Sequence, residues 1–173
     1  MAIIEWSPPS AQWVALNPNG AAYLSTRFAS IGGLIRNNYG TWLLGFNRGI
    51  RVTDAFQVEL WAIHEGLHLA WNLGFEFIKV QFDSAHAIST INATDARTSA
   101  FPLAQAISAL QNRGWVVEFL WINREANHAA NALAKHADFS SFSLMQFDST
   151  PSYVQTLLVR DVDGPPYCKS SAL

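Results

Sequence analysis

The residues best placed to do chemistry are two carboxylates on different elements. Glu59 falls within FQVELWAIHEGLHLAWN (56–72), and Asp83 closes FEFIKVQFD (75–83). Set at the edge of one buried layer, two carboxylates that meet could act together in catalysis. Apart, each has a plainer use. Glu59 reads as an acid in a helix first turn, complementing the macrodipole. Asp83, followed by Ser84, reads as the start of the next helix. His64 and His68 stand four apart, the spacing of a metal pair on one helix face, but no third ligand accompanies them. Arg27, Arg36, Arg48 and Arg51 cluster in one part of the chain. They read either as phosphate contacts for a duplex laid across a sheet edge or as a solvated face.

The elements that must position these groups follow from hydrophobic spacing. Phe56, Leu60, Ile63, Leu67, Ala70 and Trp71 recur at three- and four-residue steps and mark one apolar helix face. A turn at Gly74 leads into Phe75–Phe82, apolar on both faces except at Glu76, Lys79 and Gln81, as in a central parallel strand covered by helices. Upstream, Gln12–Asn17 reads as a strand broken by the turn signal Pro18-Asn19-Gly20. Phe28–Arg36 and Thr41–Ile50 read as two more strands, and the short connections imply an antiparallel meander. Downstream come helices over Ser84–Ile91 and Pro102–Asn112, a strand over Trp115–Ile122, and a helix over Asn127–Ala137. Right-handed crossovers place the fourth strand beside the first and the fifth outside it. The expected fold is α/β, a five-stranded mixed sheet flanked by helices. Residues 1–138 form the domain, and 139–173 form a C-terminal extension with a short helix near Val154–Val159. Trp61, Trp71, Trp115 and Trp121 read as core.

Composition narrows the function classes. A chain of 173 residues can bury a sizeable single core, and half hydrophobic with 14% charged it is globular. A net charge of −2 offers no general attraction for nucleic acid or membrane, so any such binding needs a local patch. The lone Cys168 excludes an internal disulfide and a cysteine metal site. Residues 1–10 lack a signal-peptide pattern and no apolar run is long enough to span a bilayer. The expectation is a soluble intracellular protein, nuclear or cytoplasmic.

Five segments, in order, resemble one family. Leu16-Asn17-Pro18-Asn19-Gly20-Ala21 is similar to L-N-x-D-G-A, and Gly32-Gly33-Leu34-Ile35-Arg36-Asn37 to G-G-V-L-R-D. Val58-Glu59-Leu60-Trp61-Ala62-Ile63 resembles A-E-L-W-A-L, and Val80-Gln81-Phe82-Asp83-Ser84 resembles V-E-S-D-S. Arg124-Glu125-Ala126-Asn127-His128-Ala129-Ala130-Asn131-Ala132-Leu133-Ala134 resembles R-E-A-N-x-x-A-D-x-L-A. The family is that of plant ribonuclease H-like domains related to the RNase H part of retrotransposon reverse transcriptases. The resemblance covers roughly residues 6–138.

That resemblance implies endonucleolytic hydrolysis of the RNA strand of RNA–DNA hybrids. Four carboxylates would hold two Mg²⁺ (or Mn²⁺) ions about 3.5–4 Å apart. Carried over by position, the catalytic and metal-holding places are Asn19, Glu59, Asp83 and Asn131. Two of these are asparagine where the family has aspartate. An asparagine oxygen is a neutral ligand, and its NH₂ can only oppose a cation. The implied metal binding is therefore weakened and the activity weak or absent. The segment before the last helix also departs, because Ile122 runs almost directly into Asn123-Arg124 with no histidine-bearing loop. Two other readings stay open. An inactive nucleic-acid-binding module would bind in a salt-sensitive way. A protein-interaction scaffold would expose an apolar patch.

Overall fold

The computed structural model describes residues 2–23, 28–51, 54–93 and 101–169. In chain order these form β1 (Ala2–Ile4), β2 (Val14–Tyr23), β3 (Phe28–Arg36), β4 (Trp42–Arg51), α1 (Ala55–Asn72), β5 (Phe77–Phe82) and α2 (Ala85–Asn92). There follow α3 (Pro102–Gln111), β6 (Val116–Trp121), a 3₁₀ turn at Arg124–Asn127, α4 (His128–Lys135), β7 (Met145–Phe147), α5 (Ser152–Asp163) and β8 (Tyr167–Lys169). The main sheet runs β6-β5-β2-β3-β4-β7. β2, β3 and β4 are antiparallel neighbours, and β5 and β6 join in parallel. The mixed five-strand order expected from the sequence is present, with a sixth strand added at one edge. That strand, β7, pairs with Gly45–Asn47 of β4, while β8 pairs with β1 in a separate two-stranded sheet. Both are three residues long, too short to show an alternating pattern.

Period-2 alternation along β3 divides the core. Ala29, Ile31 and Ile35 join the cluster that contains Leu60, Ile63, Leu67 and Ala70 of α1. Leu34 points the other way, against Ala129, Ala130, Leu133 and Val154 of α4 and α5. The four α1 residues have no exposed surface, and burying each large aliphatic side chain stabilises by about 1.5–3 kcal/mol. Trp121 departs from the core reading: it ends edge strand β6 and is 50% exposed.

Two local readings also change. Pro18-Asn19-Gly20 is not a turn; β2 runs through it, with Pro18 opposite Gly33 and Asn19 opposite Gly32. The Pro18 carbonyl accepts from Asn127 Nδ2 at 2.9 Å, so this edge of Pro18 faces away from β3. The β5 ladder on that side stops at Leu16. A proline there costs the sheet no hydrogen bond.

Arg36, read as a phosphate contact, is wholly buried. Its Nη1 is 2.8 Å from Asp161 Oδ2 of α5, its Nε donates to Asn17 Oδ1 at 2.9 Å, and its guanidinium lies 3.7 Å above the Trp6 ring centroid. Gln81 Oε1 accepts from Trp6 Nε1 at 2.7 Å and Asn17 Nδ2 at 3.0 Å. This network ties the N-terminal segment, the sheet and the C-terminal extension together. It explains why a central strand carries a glutamine, since buried polar groups need partners.

Candidate functional site

Three local devices bring the site residues together. The first is the start of α1. Asp54 caps the helix, its side chain accepting from Gln57 N at 2.8 Å. Glu59 therefore sits in the second turn, not the first, and the dipole-complement reading of it does not apply. The second is the end of β5. Ser84, not Asp83, caps α2, its hydroxyl oxygen accepting from Ala87 N at 3.2 Å. The same hydroxyl donates to Glu59 Oε2 at 2.7 Å, which links α1 to the β5 terminus and leaves the Asp83 carboxylate out of the cap. The third is close approach to β2 and β3. A Cβ on Gly20 would meet Val58 Cγ1 at 2.6 Å, and one on Gly32 would meet the Leu133 carbonyl carbon at 2.7 Å. These two glycines let α1 and α4 approach on either side of Asn19.

As a result Asn19, Glu59, Asp83 and Asn131 line one cavity of about 320 Å³. Burial pushes the Glu59 carboxyl above its usual range and neighbouring Asp83 adds to this, against the pull of the Ser84 hydroxyl, His86 and Arg124. Burial likewise raises Asp83, opposed by its backbone hydrogen bond, Arg124 and Asn127. Asn127 is buried and reaches Asp83 Oδ1 at 3.5 Å while holding the Pro18 carbonyl.

Two residues of the same cavity escaped the sequence reading, Arg124 and Lys135. Arg124 Nε lies 3.8 Å from Asp83 Oδ2 with its side chain 85% exposed. Lys135 stands four residues after Asn131, a spacing that puts both on one helix face and could have revealed it.

The arginine set divides. Arg27 lies outside the described residues. Arg36 is buried in the ion pair with Asp161 and cannot meet a phosphate. Arg48 and Arg51 line a second cavity of about 460 Å³ with Trp61 and Phe142. There Arg48 Nε donates to the Phe142 carbonyl at 2.8 Å and its Nη1 is 3.6 Å from Glu65, while the Arg51 guanidinium lies 5.2 Å from the Phe142 ring centroid. Register puts both cavities at the same end of the sheet, since Arg48 faces Ile31, which faces Gly20, and Arg51 faces Phe28, which faces Tyr23. His64 and His68 stack with ring centroids 6.4 Å apart. No group of three or more His, Cys, Asp or Glu suited to a metal forms among the described residues.

A family model described as reverse transcriptase-like matches residues 11–137. The chain belongs to this reverse transcriptase-like family. An Arabidopsis thaliana protein named, by inference, a ribonuclease H protein is 30% identical over 164 residues, 94% of this chain. The chain spans 26% of that relative's length. Solved RNase H structures share the fold of this reverse transcriptase-like domain. The N-terminal RNase H domain of a Mycobacterium tuberculosis protein superposes with a TM-score of 0.63 at 23% identity, covering 72% of this chain and 92% of that one. RNase H1 of Halobacterium salinarum gives 0.61 at 21%, covering 72% and 96%. A compost-derived RNase H1, solved in complex with an RNA/DNA hybrid, gives 0.62 at 20%, covering 72% and 95%. The domain thus has the RNase H-like α/β fold, and no helix among its described residues is long and apolar enough to cross a membrane.

The donor set does not fit the pair of divalent cations typical of RNase H domains. Asn19 Oδ1 accepts from Gly20 N at 2.8 Å and Glu59 Oε2 from Ser84, so part of the acceptor capacity of each is engaged. Arg124 neighbours Asp83. Mg²⁺ dehydrates reluctantly and relies on carboxylates, of which the cavity offers two.

Proposed function

We propose that this domain binds RNA–DNA hybrids across the sheet end that carries both cavities and cleaves the RNA strand weakly or not at all. The observation that carries the reading is the composition of the convergent site, where two carboxylates face two asparagine amides in one cavity. The RNase H-like fold and the hybrid held by the compost-derived RNase H1 support the substrate class. RNase H-type binding follows backbone shape and 2′-hydroxyls, so sequence preference is weak. Glu59 and Asp83 are the pair that would hold Mg²⁺ or Mn²⁺, and Asn19 and Asn131 are the weakened positions.

The test is cleavage of a labelled hybrid in Mg²⁺ and in Mn²⁺ by this chain and by Asn19→Asp/Asn131→Asp. Each 1.36 kcal/mol restored to transition-state binding is tenfold in rate, so a double change that restores about that much at each position raises cleavage by about a hundredfold. An unchanged rate with intact folding removes the reading of the two asparagines as the lesion. A second reading, a protein-interaction scaffold, draws on the edge strand β6, where Val116, Leu120 and Trp121 are 44%, 45% and 50% exposed. That reading is favoured if no hybrid binds at all.

A further inference from the structure

We propose that the cavity around Asn19 and Asn131 is an anion site that grips one backbone phosphate of the nucleic acid without a metal ion. This rests on the hybrid-binding reading and names the groups that hold the strand. Glu59 and Asp83 bring two negative charges to the cavity, and Arg124 and Lys135 bring two positive ones, so the site is electrically balanced. With carboxylates at all four positions it would carry a net charge of −2. The donor inventory tips the balance further. A guanidinium offers five N–H groups, an ammonium three and each asparagine amide two. The Asn19 oxygen accepts from the Gly20 N–H, and its NH₂ has no protein acceptor among the described residues. Where the family places cation-binding oxygens, this chain places hydrogen-bond donors. The change from aspartate to asparagine therefore inverts the preference of the cavity as well as removing ligands.

The geometry suits a phosphodiester. Arg124 is 85% exposed and only loosely held, at 3.8 Å from Asp83, so its fork can turn outward to a phosphate in the bidentate way that suits guanidinium. Lys135 supplies a second charge from the end of α4. Arg51, exposed across β3 at the same sheet end, extends the track for neighbouring phosphates.

The test measures binding of a fluorescent RNA–DNA hybrid by anisotropy in EDTA and in Mg²⁺. It compares the chain with Arg124→Ala/Lys135→Ala, Glu59→Gln/Asp83→Asn and Asn19→Asp/Asn131→Asp, each checked for folding by thermal melting. Affinity in EDTA stays close to that in Mg²⁺. Arg124→Ala/Lys135→Ala weakens binding by at least about tenfold and lowers the slope of log K against log salt by roughly one for each cationic side chain removed. Glu59→Gln/Asp83→Asn tightens binding, and Asn19→Asp/Asn131→Asp weakens it in EDTA while raising cleavage in Mg²⁺. Binding that disappears in EDTA and returns with Mg²⁺ overturns the metal-free grip and leaves the hybrid-binding reading standing. Inorganic pyrophosphate, followed through the side-chain NH₂ resonances of Asn19 and Asn131, is the independent probe. If no hybrid binds, the hybrid reading fails; shifts in those resonances then still support the anion site, and their absence overturns it.

Discussion

At the scale of single residues, the two carboxylates are held against their own preference. Burial raises both Glu59 and Asp83 above the usual carboxylate range. The folded state then binds more protons than the unfolded state in the window between the ordinary values and the raised ones. Since the slope of unfolding free energy with pH is 2.303RT times the protons bound unfolded minus those bound folded, it is negative there. Their contribution is most favourable below the ordinary carboxylate range and is lost as pH rises through the raised values. Glu59→Gln and Asp83→Asn keep oxygens for Ser84 and Asn127 while removing the charge. Each should raise the Tm at pH 7 in EDTA and flatten its fall across that window. Melting curves at several pH values check this, and a lowered Tm at pH 7 would show that the acids are stabilised by their neighbours instead. Glu59 and Asp83 were legible as a candidate pair because each sits beside a strongly apolar run. Asn19 was not placed correctly, because Asn-Gly is a turn signal locally, whereas nine paired positions with β3 decide the conformation.

At the scale of elements, the site depends on how closely two helices lie on the sheet. The β3 glycine Gly32 faces Asn19 across the ladder and lies under the α4 backbone, where an added methyl would meet Leu133 and Ala134 main-chain atoms. Main chain cannot rotate away as a side chain can. Gly32→Ala should cost about 1–3 kcal/mol, the usual range for overpacking, read by urea denaturation, and should carry Asn131 away from Asn19. A neutral result would mean that α4 shifts freely and does not fix the cavity. Ser84→Ala makes a different demand, removing the α2 cap and the hydroxyl on Glu59 together. Loss of the cap alone costs about 1 kcal/mol. The apolar stripe of α1 was readable from its period, and β5 and β6 from short apolar runs bounded by turn residues. The cap assignments were not, since Asp83-Ser84 offers two competent capping residues and only the path of the chain after β5 selects the serine.

At the scale of the whole molecule, the C-terminal extension is bound into the domain by the least predictable contact in it. Composition argues that arginine and aspartate stay at the surface, so nothing in the sequence marks Arg36 and Asp161 as a buried pair 125 positions apart, with side chains 0% and 1% exposed. The family match ends at residue 137, before α5. The extension nonetheless adds β7 to the sheet edge and sets Val154 of α5 against α4. Burial pulls both charges toward their neutral forms, and their mutual contact opposes that pull. Removing one partner leaves the other buried and uncompensated. Asp161→Ala should therefore cost about 3–5 kcal/mol, whereas Arg36→Met/Asp161→Leu, which removes both charges and keeps the volume, should recover most of it. By the same argument a chain ending at residue 138 carries Arg36 without its counter-ion and should fail to fold cooperatively. Urea denaturation of the three proteins decides the matter. If the truncated chain unfolds with the full stability of the whole, the pair is dispensable, and the extension is an appendage to a domain complete without it.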